Sequence, residues 1–335
     1  MALISSFLSY IKKEQYGCYV ISRNPLILTS YWHDFRINYD KLVKVLPADI
    51  EVWVIFQLGY YKSEEAAKEI KRDISLYLTE HPNYNFWFLN NSLEEDNRFK
   101  SLGLNSLFIN QNAFLDEKRY KILPGKKQYD AIYLARFTPV KRHYLAKKIK
   151  NILLIGSYKP SEFDYYQESR KILAHADYKE KIWGYEVSRY MNKAQVGLCL
   201  SDLEGAMFVS TEYLLSGLPV VSTESLGGRD IYYHGEYAKI APADPDSVAD
   251  EVYKLIDNHP EPQDIRNETL RIMLEHRNKF IEFIQLIYDQ KNINRDFSKE
   301  WDTVFIHKMG LRTRVSFPVY KRSIVSHDFT YTYLK

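Results

Sequence analysis

SDLEGAMFVSTEYLLSGLPVVSTESLGGRD, residues 201–230, joins a helical pattern to a short β-branched run and ends in a Gly-Gly turn. The run before it, QVGLCLS (residues 195–201), and PVVST (residues 219–223) are continuous apolar segments of strand length, while AMFVSTEYLLSG (residues 206–217) between them has helical length. Strand, helix and strand in that order predict a parallel βαβ unit. In an open parallel sheet the loops leaving the carboxyl ends of strands hold ligands. Residues 201–206 and 223–230 are two such loops, so the chemistry is sought there.

The same alternation continues outward. Upstream lie AIYLARF (residues 131–137), a helix, NILLIGSY (residues 151–158), a helix from about Glu162 and another near Val187; downstream come the helix SVADEVYKLIDNH (residues 247–259) and a long helical pattern over 265–290. Residues 135–141 and 156–159 therefore leave strands on the same edge. In the first part of the chain the expected strands are 18–22, 51–56, 85–89 and 106–110. The helix SEEAAKEIKRDISLYLTEH (residues 63–81) has Ser63 as its predicted N-cap. The polar stretch DEKRYKILPGKKQ (residues 116–128) carries Pro124 and Gly125 between two strand-rich parts, which puts a boundary near Gln128. The expectation is an α/β protein with one domain over 1–127, a second over 128–293, and a segment over 294–335 whose RDFSKEWDTVFIHKMG stretch is helical. LRTRVSFPVYKRSIVSHDFTYTYLK (residues 311–335) is basic and aromatic, and reads as a strand pair, an interface segment or the start of a further domain.

Composition narrows the function classes. At 335 residues two domains of ordinary size are the natural count. With 45% apolar and 27% charged residues the chain is neither disordered nor collagenous. The net charge, 46 − 43 = +3, does not announce a nucleic-acid binder, and no nucleic-acid-reading motif accompanies the basic residues. Cys18 and Cys199 sit in apolar runs and read as buried strand residues of a reducing compartment. Ala2, Leu3, Ile4, Phe7, Leu8 and Ile11 recur at helical spacing in a stretch too short to span a bilayer. That fits a cytoplasmic protein, with the helix packed on its own domain or lying on a membrane surface. The 28 tyrosines against 13 glycines suit either a polar pocket lined by rigid rings or strands with buried rings.

Within 201–230, Glu204 and Glu212 stand eight positions apart. On a continuous helix that spacing returns both to nearly one face. Gly205, Ala206, Met207 and Phe208 between them would offer backbone N–H groups and the positive end of a dipole to an anion. A carboxylate pair framing an anion seat suits a sugar nucleotide; the plain alternative is a cap and a solvated helix residue. Arg136 and Lys141, on the loop after residues 131–135, would neutralise a diphosphate. The plain alternative is that they belong to a merely solvated basic face with Lys126, Lys127, Arg142, Lys147, Lys148 and Lys150, residues that would otherwise suit a membrane or an acceptor. Gly156, opening the loop 156–159, and Arg229 complete the candidate donor contacts. Asp244-Pro245-Asp246 reads as a helix start capped by Asp246, and no metal ligand set is expected. His33, in TSYWHDF, is a candidate for contacting the sugar or the acceptor, set against a structural role. Asn110, Gln111 and Asn112 after the fourth expected strand read as acceptor-side or hinge residues.

The stretch resembles the Glu-x7-Glu motif of family 4 glycosyltransferases of the GT-B fold, followed by the small-Gly-x-Pro-Val-Val-x-Thr and Gly-Gly elements at Ser216, Gly217, Pro219, Val220, Val221, Thr223, Gly227 and Gly228. Arg136 and Lys141, with Ala135 in the usual Gly position, resemble the family's strand, Gly-Arg, loop and Lys element. The likeness covers residues 128–258. The family's Gly three residues after the first Glu is Met207 here, and its Gly-Gly-x-x-Glu reads Gly-Gly-Arg-Asp. The N-terminal part has RNPLILTSYWHDF where the family has a Gly-rich loop. The resemblance implies two Rossmann-like domains facing a central cleft, with residues 294–335 crossing back to the first. It implies a retaining, metal-independent transfer from a nucleotide-diphosphate sugar to a glycan or lipid-linked glycan, with Glu204 on the sugar and Glu212 on the ribose. It places the protein in the cytoplasm or at the inner face of the membrane, in polysaccharide or cell-envelope synthesis. A GT-B phosphorylase or epimerase and a non-catalytic glycan-binding or partner-binding module remain the other readings.

Overall fold

The computed structural model describes residues 15–47, 49–180, 182, 184–310, 314–318 and 321. The expected helix over residues 2–11 and most of 311–335 lie outside them. The chain forms two compact units: residues 1–114 with 275–335, and residues 115–274.

The first unit is built on a six-stranded sheet in the order β12-β1-β2-β3-β4-β5. Its strands are β1 (Gln15–Arg23), β2 (Leu26–Tyr31), β3 (Val52–Gln57), β4 (Tyr84–Asn90), β5 (Ser106–Phe108) and β12 (Arg314–Ser316). β1 runs antiparallel to β2 and to β12, and β2 to β5 run parallel. Strand β3 explains the layering. All of VWVIFQ is buried, Val52, Val54 and Phe56 facing one core while Trp53 and Ile55 face another. A strand buried on both faces must be apolar throughout, and its alternate side chains feed separate cores. The first core is closed by helices α1 (Trp32–Ile37), α2 (Tyr39–Val43), α3 (Glu64–Glu80) and α4 (Leu93–Ser101). It is rich in rings: Trp32, Phe35, Phe86 and Phe88 gather round Phe56, and Tyr39 stacks on Tyr77 at 3.7 Å. Much of the tyrosine excess is therefore core, including Tyr19, Tyr39, Tyr77, Tyr84, Tyr133, Tyr213 and Tyr232. Ser63 caps α3, its Oγ accepting from the Ala66 N–H at 3.3 Å.

Strand β2 lies in RNPLILTSYWHDF, where a loop was expected. Its LILTSY run is buried almost to its end. His33 consequently sits on α1 and is exposed, its ring edge-on to Tyr31 at 6.4 Å. Asn110, Gln111 and Asn112 are buried. Asn110 Nδ2 donates to the Asn91 carbonyl at 2.9 Å and Gln111 Nε2 to that of Leu58 at 2.7 Å.

The second unit has a wholly parallel sheet: β6 (Tyr129–Leu134), β7 (Ile152–Ile155), β8 (Asp177–Lys179), β9 (Ala194–Cys199), β10 (Val220–Thr223) and β11 (Ala238–Ala241). Its order, β8-β7-β6-β9-β10-β11, is the 3-2-1-4-5-6 winding of dinucleotide-binding folds, with its switch point between β6 and β9. Helices α5 (Phe163–Ile172), α6 (Tyr185–Met191), α7 (Phe208–Leu215) and α8 (Pro245–Asn258) belong to this unit. Between β6 and β7 two 3-10 turns, Pro139–Lys141 and His143–Ala146, replace the expected helix. The left-handed Arg142 between them, φ 48°, breaks the helical path.

The units divide at Leu115, ahead of the expected Gln128, because Leu115 and Tyr120 already pack into the second unit's core. The second division falls inside α9 (Pro262–Gln290), not at residue 293. The first half of α9 gives Ile265, Ile272 and Met273 to the second unit's core; its second half gives Phe280, Phe283, Ile284 and Ile287 to the first unit's. Helix α10 (Phe297–Val304) follows in the first unit.

Asp244, not Asp246, caps α8: its Oδ1 accepts from the N–H groups of Asp246 and Ser247 at 3.1 and 2.9 Å. Pro245 at the first helical position fixes the start two residues earlier than the sequence suggested. Asp244→Ala should lower the melting temperature by about 2 °C and Asp246→Ala should leave it unchanged, read by thermal denaturation.

Each unit buries a neutral histidine. Burial, reinforced by Lys141, pushes His143 down to about 3, and burial with Lys279 pushes His276 down to about 4. His276 Nδ1 accepts the Asn110 N–H at 3.4 Å, which requires the unprotonated ring nitrogen. A histidine with a depressed folded pKa binds protons more readily when unfolded, so its stabilisation is complete above the unfolded pKa and is lost as pH falls towards the folded one. Between pH 6.5 and 5 each should cost about 2 kcal/mol of stability. Chemical denaturation across that range should show the loss, and His143→Gln with His276→Gln should flatten it.

Candidate functional site at the carboxyl ends of β6 and β9

At the switch point the chain leaves β6 through 135–141 and β9 through 200–207. Buried tyrosines set the first of these paths. Tyr213 Oη accepts the Leu134 N–H at 2.8 Å, and Tyr133 Oη donates to the Lys141 carbonyl at 2.5 Å. Burial raises both phenols well above their usual range, so they stay neutral hydrogen-bonding groups. The Arg142 guanidinium anchors the same loop to the neighbouring strand ends, with Nε on the Leu200 carbonyl at 2.7 Å and Nη2 on Thr223 Oγ1 at 2.6 Å. Lys141 is thereby held beside the second loop, where its Nζ forms an ion pair with Glu204 Oε1. Both side chains are largely buried, 18% and 8% exposed. Ser201 Oγ donates to the same carboxylate oxygen at 2.5 Å.

The Glu204 loop is fixed from its other side by a short ladder beyond the sheet. The Glu204 N–H donates to the Leu226 carbonyl at 2.9 Å, that of Leu226 to Asp202 at 3.0 Å, and that of Gly228 to Gly205 at 2.9 Å. Leu203 and Leu226 form a parallel bridge. Gly227, with φ 114°, crosses so close that a Cβ there would lie 2.2 Å from the Glu204 carbonyl oxygen. The Gly-Gly element thus serves as the backbone against which the Glu204 loop is laid.

Several sequence-predicted residues take places that the spacing did not foresee. Helix α7 starts at Phe208, so Glu204 lies in the loop before it, and the one-face argument for Glu204 and Glu212 does not hold. Met207 stands at the helix entrance with φ 51°, the left-handed region glycine favours. Gly205, Ala206 and Met207 are buried, with Phe208 partly so. Glu212 is buried on α7, 8% exposed. Arg136 is on the same edge, paired through Nε with Glu162 at 3.4 Å. Gly156 is a close-approach position, where a Cβ would meet the Ala135 carbonyl oxygen at 2.1 Å. His33 is in the other unit. Arg229 requires a correction as a donor ligand: it is fully buried, 0% exposed, and its guanidinium donates to protein groups.

Lys141, Glu204 and Ser201 therefore form a cation, a carboxylate and a hydroxyl at the strand ends where doubly wound sheets bind ligands. Ser201 is the participant that the sequence did not single out; its place at the last residue of QVGLCLS was the available signal. A cavity of about 430 Å³ beside them is lined by Asp202, Glu224, Ser225, Leu226, Asp230 and Ile240. Its three carboxylates suit hydroxyl donors better than phosphate. Burial raises the Asp230 pKa against the opposing pull of Arg229. Among the described residues no group of three or more His, Cys, Asp or Glu side chains could hold a metal ion.

Residues 131–258 match the family described as Glycosyl transferases group 1. A stretch of 81 residues, 24% of this chain, is 36% identical to 2-deoxystreptamine N-acetyl-D-glucosaminyltransferase of Niallia circulans and spans 21% of that enzyme. Among solved structures, Anabaena HepE in complex with UDP-glucose aligns at TM-score 0.52 and 13% identity, over 70% of this chain and 72% of its own. The N-terminal domain of Candida albicans trehalose-6-phosphate phosphatase aligns at TM-score 0.51 and 11% identity, over 73% and 72%. The fold is that of the GT-B class, and the residues matched by the family include every member of the site at the ends of β6 and β9.

Proposed function

We propose that this protein is a glycosyltransferase that moves a sugar from a nucleoside-diphosphate sugar to a hydroxyl of a glycan or lipid-linked glycan, with retention at the anomeric carbon and without a metal. The observation that carries the reading is the Lys141–Glu204 pair at the switch point of a 3-2-1-4-5-6 sheet, within the stretch that resembles the group 1 transferases. Lys141, with Arg136 on the same edge, offsets the diphosphate charge as the C1–O bond breaks and its electron pair passes to the departing phosphate oxygen. Glu204 faces the oxocarbenium-like sugar. The acceptor oxygen then bonds to C1 on the face just vacated, and its proton goes to the leaving diphosphate. Glu212 is assigned to the ribose, and His33 to acceptor-side contact.

The basic stretch around Lys147, Lys148 and Lys150, all exposed, suits work at the cytoplasmic face of a membrane. No helix among the described residues is long and apolar enough to cross one. The test is thermal denaturation with UDP, GDP, dTDP, ADP and CMP sugars, UDP-glucose first because HepE is crystallised with it. A ligand at about 100 times its Kd should add about 2.7 kcal/mol and raise the melting temperature accordingly. No shift with any member of the panel would overturn the donor assignment. Loss of retention in the isolated product would overturn the stereochemistry alone.

A further inference from the structure

We infer that Arg229 is a positioning residue that orients the Glu204 carboxylate through Ser201, an inference that rests on the functional reading above. The Gly-Gly turn delivers Arg229 inward, between the ends of β9 and β10, where its planar fork is used from several sides. Nη1 donates to the Ser201 carbonyl at 3.0 Å and to Ser201 Oγ at 3.2 Å, Nη2 to the Thr223 carbonyl, and Nε to Asp230 Oδ1 at 3.1 Å. Met207 Sδ lies 3.7 Å from Nη1, so the same guanidinium also backs the left-handed residue at the entrance to α7.

The direction of the hydrogen bonds gives the arrangement its consequence. A serine hydroxyl has one hydrogen and two lone pairs. With Arg229 donating into Oγ, a lone pair is occupied by a cation and the hydroxyl hydrogen is left to point at Glu204 Oε1, 2.5 Å away. Lys141 meets the same oxygen from the opposite loop. Arg229, Ser201, Glu204 and Lys141 thus form one chain of charge-assisted bonds across the ends of β10, β9 and β6, and each bond polarises the next. A lysine at 229 could not reproduce the fork that spans Ser201 and Thr223. Arg229 touches no substrate in this arrangement. It acts on catalysis by fixing the rotamer of the carboxylate that does.

The experiment compares wild type with Ser201→Ala, Ser201→Thr, Arg229→Lys and the Ser201→Ala/Arg229→Lys double variant. UDP release from UDP-glucose, or from the panel member that wild type turns over fastest, gives kcat and KM; calorimetry gives the Kd for the matching nucleoside diphosphate. Ser201→Ala and Arg229→Lys should each lower kcat about tenfold with the nucleotide Kd changed less than about twofold, the double variant being no slower than the slower single one. Ser201→Thr, which keeps the hydroxyl, should retain most of kcat. If Ser201→Ala turns over at the wild-type rate, or if the double variant loses the product of the two single losses, the inference is overturned. Should Arg229→Lys fail to fold, Arg229→Gln takes its place in the cycle with Ser201→Ala, and the same outcomes decide the question. A wild-type protein inert toward the whole panel would instead overturn the functional reading.

Discussion

Replacing Glu204 by glutamine is expected to slow sugar transfer by about two to three orders of magnitude, the cost of removing a charge placed where charge develops. Glutamine keeps the shape and can still accept from Ser201 Oγ, so the loop over 201–207 should hold its course. What disappears is the negative charge proposed to face the sugar and the countercharge of Lys141. The nucleotide should bind at least as well as before, because Lys141 no longer has to leave a carboxylate to meet a diphosphate. The comparison is kcat against nucleotide Kd for wild type and variant, with the melting temperature as the folding control. A kcat within about threefold of wild type would remove Glu204 from the mechanism.

The second large effect is steric. Gly227→Ala places a methyl group where the Glu204 carbonyl oxygen already lies, 2.2 Å from the new Cβ, and does so at φ 114°. Backbone is the obstacle, so no rotamer change relieves it. Either the ladder joining 202–205 to 226–228 opens or the backbone at 227 moves. We expect a loss of about 3 kcal/mol in stability, read from the denaturant midpoint, with a fall in kcat because the displaced strand carries Glu204. Wild-type kcat in a destabilised variant would show that the ladder supports the fold without aiming the carboxylate.

Legibility in the sequence follows burial. β6, β7, β9 and β10 lie inside a parallel sheet and are apolar on both faces, so each stood out as an uninterrupted run. β8 and β11 do not. In Asp177–Lys179 both end residues are exposed and only Tyr178 is partly buried, and Ala238–Ala241 buries only its last residue fully. β2 escaped because Asn24-Pro25 precedes it, and the turn residues coloured the reading of the buried LILTSY that follows. At the site the residue types were readable and their partners were not. Lys141 and Glu204 meet because β6 and β9 are neighbours at the switch point, a fact of strand order that no local pattern contains. Eight-residue spacing suggested a shared helix face, but a left-handed Met207 ends the helix before Glu204 is reached. Arg229 looked like a ligand-binding cation in a glycine turn. Only the fold decides whether such a side chain points out to a phosphate or in to the strand ends.

The two units also differ in how they are written along the chain. Residues 115–274 form one uninterrupted stretch, whereas the other unit is split and regains its missing share only from residue 275 onward. During synthesis from the amino terminus, the unit over residues 115–274 has all its strands once residue 274 has been made. The other half must keep β2, β3, β4 and β5 waiting, with the face of Trp53, Ile55 and Leu89 uncovered, until Phe280, Phe283 and Ile287 arrive. The half that begins first is finished last, so a ribosome-bound intermediate of this protein should expose that apolar face to chaperones while residues 115–274 are already folded.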